Sequence, residues 1–223
     1  MKHLFAITAI ALIAAAPINW AGRARQIPSG AIVLGNPAAK VKFVEYLSYT
    51  CSHCAEFTAE AKLPLKRDYI AKGQVSVEVR NAVRDGYDFA AAMLARCGGP
   101  SRFFGNTEAI MASQGTWLSK AAAFDAANAE KMSKLPIDQR LLLMARGIGL
   151  DAVMKTRGFT PAQINACLIN KVDQKAVSAM TNEAWNDRKI SGTPAFLING
   201  QTVTAAGHWN AVEPELKSAL AAQ

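Results

Sequence analysis

The sequence predicts an α/β fold in which a four-stranded mixed sheet is flanked by helices and interrupted by an all-helical inserted subdomain. Residues 41–84 show a strand, helix and strand pattern, and residues 187–223 show two further strand patterns and a helix. Between them, residues 85–186 are rich in Ala, Leu and Met and show helical patterns only. Neither end can form a stable sheet alone, so we expect the two ends to pair.

The N-terminus has the pattern of a secretory signal peptide, which we place at residues 1–21. A basic start is followed by an apolar run from Leu4 to Ala16, which is too short to cross a bilayer comfortably. Small residues at Ala14–Ala16 and near Ala21 offer two alternative cleavage points. An uncleaved membrane anchor is the other interpretation of the same run.

The first part of the predicted sheet comes from residues 41–84. Val41–Tyr46 is an apolar run typical of a buried strand, and Gln74–Arg80 alternates apolar and polar residues as a second strand does. Pro64 lies inside the helical pattern between them, where we expect a kink. Residues 22–40 mix Gly, Pro and charge, and we interpret them as a lead-in with a turn.

The helical insertion and the C-terminal part carry clear local signals. Thr160 before Pro161, with Gln163 behind, has the pattern of a capped helix start. Strand patterns return at Ala195–Asn199 and Gln201–Ala205, joined by the two-residue hairpin turn Asn199-Gly200. A last helix closes the chain.

Composition excludes some classes of function. The 223 residues carry a formal net charge of +8 and are 51% hydrophobic, which is ample for the core of one large domain with an insertion. No run of Lys and Arg is interleaved with aromatic residues, so we expect no nucleic-acid partner. Four cysteines behind an export signal indicate an oxidising compartment.

The segment Cys51-Ser52-His53-Cys54 carries the chemistry. Residues i and i+3 of a helix have Cβ atoms about 5–6 Å apart, and a disulfide needs about 3.5–4.5 Å, so a small adjustment makes or breaks the bond. The positive end of the helix stabilises a thiolate. We therefore predict a redox pair in which Cys51 is the exposed attacking sulfur and Cys54 is shielded. Ser48 or Thr50 is the expected helix cap.

The alternative interpretation of the two cysteines is half of a zinc site. Zinc sites take four ligands, usually from a second pair of cysteines or a pair of histidines. Cys97 and Cys167 stand apart in the sequence, and beyond the leader only His53 and His208 remain. We therefore predict no metal site.

A second motif, Ser191-Gly192-Thr193-Pro194, leads directly into a strand. Proline has no N–H for the sheet and belongs at the start of a strand. After a strand–CxxC–helix unit, this context favours a cis bond between Thr193 and Pro194. We expect Pro194 to pack against the cysteine sulfurs and Thr193 to leave its backbone free to pair with a bound polypeptide.

Three runs together resemble the DsbA-like thioredoxin-fold proteins of the bacterial cell envelope: LGNPAAKVKFVEY, CSHCAEF and ISGTPAFLING. The resemblance covers roughly Ile32 to Ala221. It implies a thioredoxin-like fold with a helical insertion, and a periplasmic thiol:disulfide oxidoreductase that introduces disulfide bonds into exported proteins. Ser52 departs from the family pattern, because the best-known members have Pro at this position. The two residues between the cysteines, here Ser52 and His53, tune the redox potential in this family.

The same resemblance implies partners and roles for other residues. The substrates are exported proteins with free thiols, and a membrane quinone-linked partner reoxidises the protein, which we expect to be a monomer without a cofactor. Glu45 resembles the buried acid that relays protons to the inner cysteine, with Arg80 or Lys42 as its partner; the alternative is a solvent-facing residue on an edge strand. The His53 ring supports the thiolate, or simply faces solvent.

The remaining cysteines and the rival functions leave alternatives open. Cys97 and Cys167 form a structural disulfide in an oxidising compartment, or stay as two buried free thiols. A disulfide isomerase or reductase is the first rival function, although the stretch before Val41 is too short for a folded dimerisation domain. The second rival is a copper or zinc carrier using Cys51, His53 and Cys54.

Overall fold

The computed structural model describes residues 18–204 and 207–223, so most of the predicted signal peptide lies outside the described residues. Its centre is one mixed sheet with the strand order β1-β2-β4-β3-β5-β6. The strands β3 and β4 run parallel, and every other neighbouring pair is antiparallel. The strands are β1 Ala24–Gln26, β2 Ile32–Leu34, β3 Val41–Leu47, β4 Val75–Asn81, β5 Ala195–Ile198 and β6 Gln201–Val203.

The sheet confirms the predicted fold class, but the prediction of four strands is wrong. The lead-in supplies two additional strands, since β2 pairs with β4 and β1 pairs with β2. All three residues of Ile32–Leu34 are buried. A run of three apolar residues is too short to show the alternation from which a strand is predicted, so its pairing depends on the exposed edge of β4.

The cysteine-bearing helix fills the connection between the parallel strands. It runs as α1 from Ser52 to Pro64 and continues as a π-helical segment over Leu65–Ile70. Pro64 has no N–H to donate, and the α-helical hydrogen-bond ladder gives way to a π-helical one after this residue. The expected kink stays a prediction. The last helix, α10, spans Trp209–Ala221.

Eight helices lie between β4 and β5. The capping box predicted at Thr160 and Gln163 is confirmed, with Pro161 in the first turn of its helix. A π-helical turn, Glu183–Asp187, ends the block. The helices are α2 Gly86–Ala95, α3 Pro100–Ala112, α4 Gln114–Leu118, α5 Ala121–Lys134, α6 Ile137–Gly147, α7 Leu150–Thr156, α8 Pro161–Leu168 and α9 Lys171–Asn182.

A disulfide joins the two cysteines of this helical block. Cys97, just after α2, is bonded to Cys167 in α8, with their Cα atoms 5.5 Å apart. The bond spans 70 residues of sequence. It therefore ties the beginning of the block to its end.

The two faces of the sheet pack against different layers. On one face, Phe43 of β3 and Phe196 of β5 stack with ring centroids 5.4 Å apart, and Phe57 of α1 closes on Phe196 at 4.6 Å. Trp209 of α10 extends this aromatic cluster. On the other face, Tyr46 packs in a smaller cluster with Ala184 of the π-helical turn. This layering presents the N-terminal end of α1 at one edge of the sheet.

Within residues 18–204 and 207–223, no helix is both long enough and apolar enough to cross a membrane.

Candidate active site

Cys51 occupies the N-cap position of α1. Its backbone is extended, with φ −92° and ψ 119°, and no side chain caps the helix. In this position a side-chain acceptor meets the unpaired N–H groups of the first turn. The backbone N–H groups of His53 and Cys54 hydrogen-bond to the Cys51 sulfur when it is a thiolate. The sulfur thus takes the place that Ser or Asp fills in an ordinary helix cap.

The pKa of Cys51 falls from 9.0 to about 4 in these surroundings. The largest cause is a hydrogen bond with Cys54, and Thr193 and the two backbone N–H groups also lower the pKa, against an opposing effect of burial. The pKa of Cys54 moves in the opposite direction, because burial disfavours its charged form. The pair therefore favours a thiolate on Cys51 and a protonated thiol on Cys54.

Two details of the predicted cysteine arrangement are wrong. Cys51 is only 4% exposed, because its sulfur lies 3.0 Å from the Thr193 carbonyl on the neighbouring loop. Neither Ser48 nor Thr50 caps the helix, since their hydroxyls bond to Asp88 and Asp85 instead. Because no other side chain caps the first turn, its N–H groups remain available to the thiolate.

The Thr193–Pro194 bond is cis, and it places the Thr193 carbonyl beside the redox pair. In the dithiol form Cys51 donates its Sγ–H to that carbonyl, so this carbonyl is not free for a bound polypeptide until Cys51 loses its proton or forms a disulfide. Gly207 lies on the other side of Pro194: a Cβ atom there would sit 3.0 Å from the proline ring and 3.9 Å from the His53 Cβ. Cys51 therefore meets the Thr193–Pro194 loop directly, and Gly207 lies between Pro194 and His53.

Residues at the start of the helical insertion hydrogen-bond to the loop before Cys51. Asp88 of α2 is fully buried and accepts hydrogen bonds from Ser48 Oγ at 2.6 Å, the Tyr49 N–H at 2.7 Å and the Arg84 N–H at 2.9 Å. Asp85 accepts from Thr50 Oγ1 at 2.8 Å. These contacts were missed in the sequence analysis, although Asp85 and Asp88 stand at the start of a helical pattern, where acidic caps are expected.

Gln114 of α4 holds the same loop from another side. Its Nε2 donates to the Tyr49 carbonyl at 2.8 Å and to the Cys51 carbonyl at 2.9 Å, and the side chain is buried. Both N–H groups of the amide are therefore used to position the residue that carries the reactive sulfur. No signal in the sequence pointed to Gln114, because it lies 63 residues from Cys51.

Glu45 lies on β3 beneath the cysteine helix. It is 6% exposed, and its Oε1 has no hydrogen-bond partner among the described residues. Burial raises its pKa from 4.5 to about 8, so the carboxyl holds a proton at neutral pH. A charge on Glu45 also contributes to the raised pKa of Cys54, which places the two groups within electrostatic reach of each other.

Both suggested partners of Glu45 are wrong. The Lys42 ammonium binds the Pro37 carbonyl, and Arg80 pairs with Glu78 and Glu183. Alternation along the strand is the physical reason: Lys42 is three residues from Glu45 and must face the other side of the sheet. Arg80 stands opposite Tyr46 in the register and shares the face of Tyr46.

The His53 side chain is exposed, and the part of this residue that supports the Cys51 thiolate is its backbone N–H. A role for its ring stays a prediction. Among the described residues, no group of three or more His, Cys, Asp or Glu side chains is arranged to hold a metal ion.

A family model described as thioredoxin matches residues 29–218. Among solved structures, the chain is similar to a protein-disulfide isomerase from Novosphingobium aromaticivorans, with 35% identity, a TM-score of 0.79, and coverage of 86% of this chain and 97% of that one. It also shares its fold with alpha-DsbA1 of Wolbachia pipientis, at 20% identity and a TM-score of 0.67. That match covers 85% of this chain and 90% of the Wolbachia chain.

Among curated proteins, the chain is similar to one from Rickettsia typhi that is named as a protein-disulfide oxidoreductase. The two are 29% identical over 176 residues, which are 78% of this chain and 57% of the relative. A Rickettsia felis relative, also named as a protein-disulfide oxidoreductase, is 30% identical over 170 residues. These residues are 76% of this chain and 53% of the relative. The chain therefore spans little more than half the length of these relatives.

Proposed function

The chain belongs to the DsbA-like family of thioredoxin-fold proteins, and on that premise we propose that it is a thiol:disulfide oxidoreductase that introduces disulfide bonds into exported proteins. One observation carries the proposal: Cys51 is the N-cap residue of α1, where its contacts with the first turn of the helix help to lower the pKa of its thiol to about 4. A dithiol with a stabilised thiolate resists reoxidation, so its disulfide is a strong oxidant.

The reaction begins with the enzyme as the Cys51–Cys54 disulfide. A substrate thiolate attacks the Cys51 sulfur, the Cys51–Cys54 bond breaks, and Cys54 leaves as a thiolate. Because burial disfavours that charge, Cys54 takes up a proton, and the protonated Glu45 carboxyl is the donor beneath it.

The second step releases the product. A second substrate thiolate attacks the substrate sulfur of the mixed disulfide, the substrate disulfide forms, and Cys51 leaves as a thiolate held by the first turn of α1. The substrate loses two electrons and two protons in the complete reaction. The two electrons reduce the Cys51–Cys54 disulfide. One proton ends on Cys54 and the other enters solvent. The Thr193 carbonyl accepts the Cys51 Sγ–H only in the fully protonated dithiol form, so in the disulfide and mixed-disulfide states of this cycle it is open to the polypeptide backbone.

The compartment and partners belong to the same proposal. The leader-like residues 1–21 support export to the periplasm, where a newly arrived protein carries free thiols. A membrane quinone-linked protein would reoxidise the dithiol, and the chain would act as a monomer.

An isomerase is the second candidate, favoured by the similarity of the chain to the Novosphingobium protein-disulfide isomerase at 35% identity. Isomerisation needs the reduced Cys51 thiolate to attack a wrong disulfide in the substrate. The same Cys51 thiolate could make that attack. The reduction potential of the Cys51–Cys54 pair therefore distinguishes an oxidase from an isomerase.

The reduction potential of the Cys51–Cys54 pair against glutathione is the deciding measurement. We expect a value well above that of thioredoxin, about −270 mV, and toward about −120 mV, the value of a strong oxidant of this fold. The protein should also oxidise a reduced model substrate faster than it rearranges a scrambled one. A potential near that of thioredoxin refutes the oxidase. Stoichiometric tight copper or zinc binding to the reduced protein would favour the metal-carrier alternative instead.

A further inference from the structure

The end of the sheet opposite the redox pair is strongly basic. Residues 18–44 contain four cationic side chains and no acidic one, so they carry half of the formal net charge of +8. We propose that this end of the molecule binds the surface of a bilayer rich in anionic lipids. The four cations, which we call the basic end, are Arg23, Arg25, Lys40 and Lys42.

The turn at residues 35–37 brings the cations of two strands together. The Arg25 guanidinium donates to the Gly35 carbonyl at 3.2 Å. The Lys42 ammonium donates to the Pro37 carbonyl. Arg23 lies beside them, because its carbonyl accepts the Gly35 N–H at 3.0 Å. A carbonyl acceptor carries no net charge, so these side chains keep their full positive charge at the surface.

No counter-charge is paired with the basic end. Among the residues that the structure describes, none of the four cations forms an ion pair with a carboxylate. The pKa of Lys42 lies below its usual value, first because of burial and second because of the positive charge of Arg25. The side chains of Arg23, Lys40 and Lys42 are exposed. Like charges held together in this way produce a positive potential that attracts an anionic partner.

Two apolar side chains at the same end favour a bilayer over other polyanions. Trp20 lies against the turn at residues 35–37: a Cβ atom at Gly73 would meet its ring at 2.8 Å and the Asn36 side chain at 3.2 Å. Ile18 is 56% exposed. Surfaces that lie among lipid headgroups combine Lys and Arg with Trp and aliphatic side chains. The phosphates of a nucleic acid offer no apolar contact for an exposed Ile.

Strand β3 runs from the basic end to the redox site. Lys42 is its second residue and Leu47 its last, so the two lie roughly 17 Å apart at about 3.3 Å per residue. Cys51 begins the cysteine helix just beyond Leu47. A protein bound through the basic end therefore presents Cys51 away from the bilayer, where a polypeptide in solution reaches it.

The test is binding of the full chain to lipid vesicles, measured by cosedimentation. Vesicles of equal parts phosphatidylglycerol and phosphatidylcholine are the anionic surface. Pure phosphatidylcholine vesicles measure the binding that does not depend on charge, including any contribution from the apolar run of residues 4–16. The main variant combines Arg23→Gln with Lys40→Gln. The matched control combines Lys131→Gln with Lys175→Gln, which removes two exposed cations from the helical insertion instead.

Each Lys or Arg near an anionic surface strengthens binding about fivefold. At about 0.1 M salt we therefore expect the wild type to bind the anionic vesicles at least about 100-fold more tightly than the neutral ones. The Arg23 and Lys40 double variant should bind the anionic vesicles about 25-fold more weakly, and the control should stay within about twofold of the wild type. Salt at about 1 M, where the Debye length is about 3 Å, should remove the preference.

Three results would overturn the proposal. The first is equal binding of the wild type to anionic and neutral vesicles, and the second is an equal loss in the main variant and the control. The third is a main variant that loses affinity for a random-sequence DNA duplex but keeps its affinity for anionic vesicles, because the partner would then be a nucleic acid.

A second measurement tests the orientation. Iodoacetamide, an uncharged reagent, should alkylate Cys51 of the reduced protein on anionic vesicles at the same rate as in solution. A rate lower by about tenfold or more would mean that the redox site faces the bilayer, and it would contradict the assignment of the basic end as the binding surface.

Membrane binding goes beyond the proposed function and does not depend on it. The main variant should oxidise a soluble reduced substrate as fast as the wild type, because the basic end lies at the far end of β3. If the wild type failed to oxidise substrates, the proposed function would fail while the vesicle result stood. If the vesicles showed no charge preference, the basic end would fail as a binding surface while the Cys51 chemistry stood.

Discussion

Two buried carboxyl groups, those of Asp88 and Glu45, lie near the loop before Cys51, and they differ in their hydrogen bonding. Asp88 accepts three hydrogen bonds, from Ser48, Tyr49 and Arg84. Glu45 leaves Oε1 without any partner among the described residues. Burial raises the pKa of both, to about 7 for Asp88 and about 8 for Glu45.

The difference separates a structural acid from one suited to proton transfer. The donors around Asp88 oppose the effect of burial on its pKa and fix the loop in place. A carboxyl that must give up and regain a proton cannot be held by donors that favour only its charged form. The absence of a fixed partner on Glu45 is therefore consistent with its proposed role, and each of the following changes tests the contrast.

The largest effect is expected for Asp88→Ala. Its removal leaves the buried Ser48 hydroxyl, the buried Tyr49 N–H and the partly buried Arg84 N–H without this acceptor, so we expect the free energy of unfolding to fall by about 3–5 kcal/mol. Urea unfolding of the oxidised protein measures this. Asp151→Ala, which breaks an i,i+4 pair with Lys155, is the control and should change stability by about 0.5 kcal/mol or less. A similarly small loss at Asp88 would contradict its role as the anchor.

Glu45→Gln should change stability in the other direction. The folded-state pKa of about 8 lies above the ordinary value of 4.5, so wild-type stability is full below pH about 4.5 and falls as pH rises toward about 8. The variant lacks this penalty and should be more stable by up to about 3 kcal/mol at pH 7, at about 1.4 kcal/mol per pKa unit. Unfolding across pH 4–9 tests it, and substrate oxidation should slow. Equal pH slopes in both proteins would disprove the raised pKa.

Gln114→Met tests whether the helical insertion positions the reactive sulfur. The change leaves the carbonyls of Tyr49 and Cys51 without their donor, at a cost of about 2 kcal/mol. We also expect the pKa of Cys51 to rise, as followed by the ultraviolet absorbance of the thiolate. Gln201→Met on the exposed edge strand is the control. An unchanged thiolate titration would mean that Gln114 only supports the fold.

Tyr49→Phe should have the smallest effect. Tyr49 binds Asp88 through its N–H, and its hydroxyl bonds to Thr107, which lines the same cavity as Glu45. Removing the hydroxyl should cost about 1 kcal/mol. The pH slope that Glu45 produces should remain, because the penalty on Glu45 comes from burial. Loss of that slope in Tyr49→Phe would show that the two acids are coupled.

Residues that act on near neighbours in the chain were predictable. The CxxC spacing, the start of α1, the capping box at Thr160 and the hairpin turn at Asn199-Gly200 each depend on contacts within a few residues. In the turn, Asn199 and Gly200 have φ 49° and 84°, the positive values that this pair of residues tolerates. Alternation along β3 also excludes Lys42 as a partner of Glu45, so that expectation was wrong on local grounds alone.

The remaining features depend on where distant segments meet. The lead-in strands needed the open edge of β4, Cys51 is covered by a loop 142 residues away, and Gln114 reaches it across 63 residues. The sequence by itself therefore determined which two cysteines stand three residues apart at a helix start and which local elements carry them. Only the tertiary structure decided how buried those sulfurs are, which donors hold them and which acid is left without a partner, because burial and hydrogen bonding at a site are set by every segment that packs there.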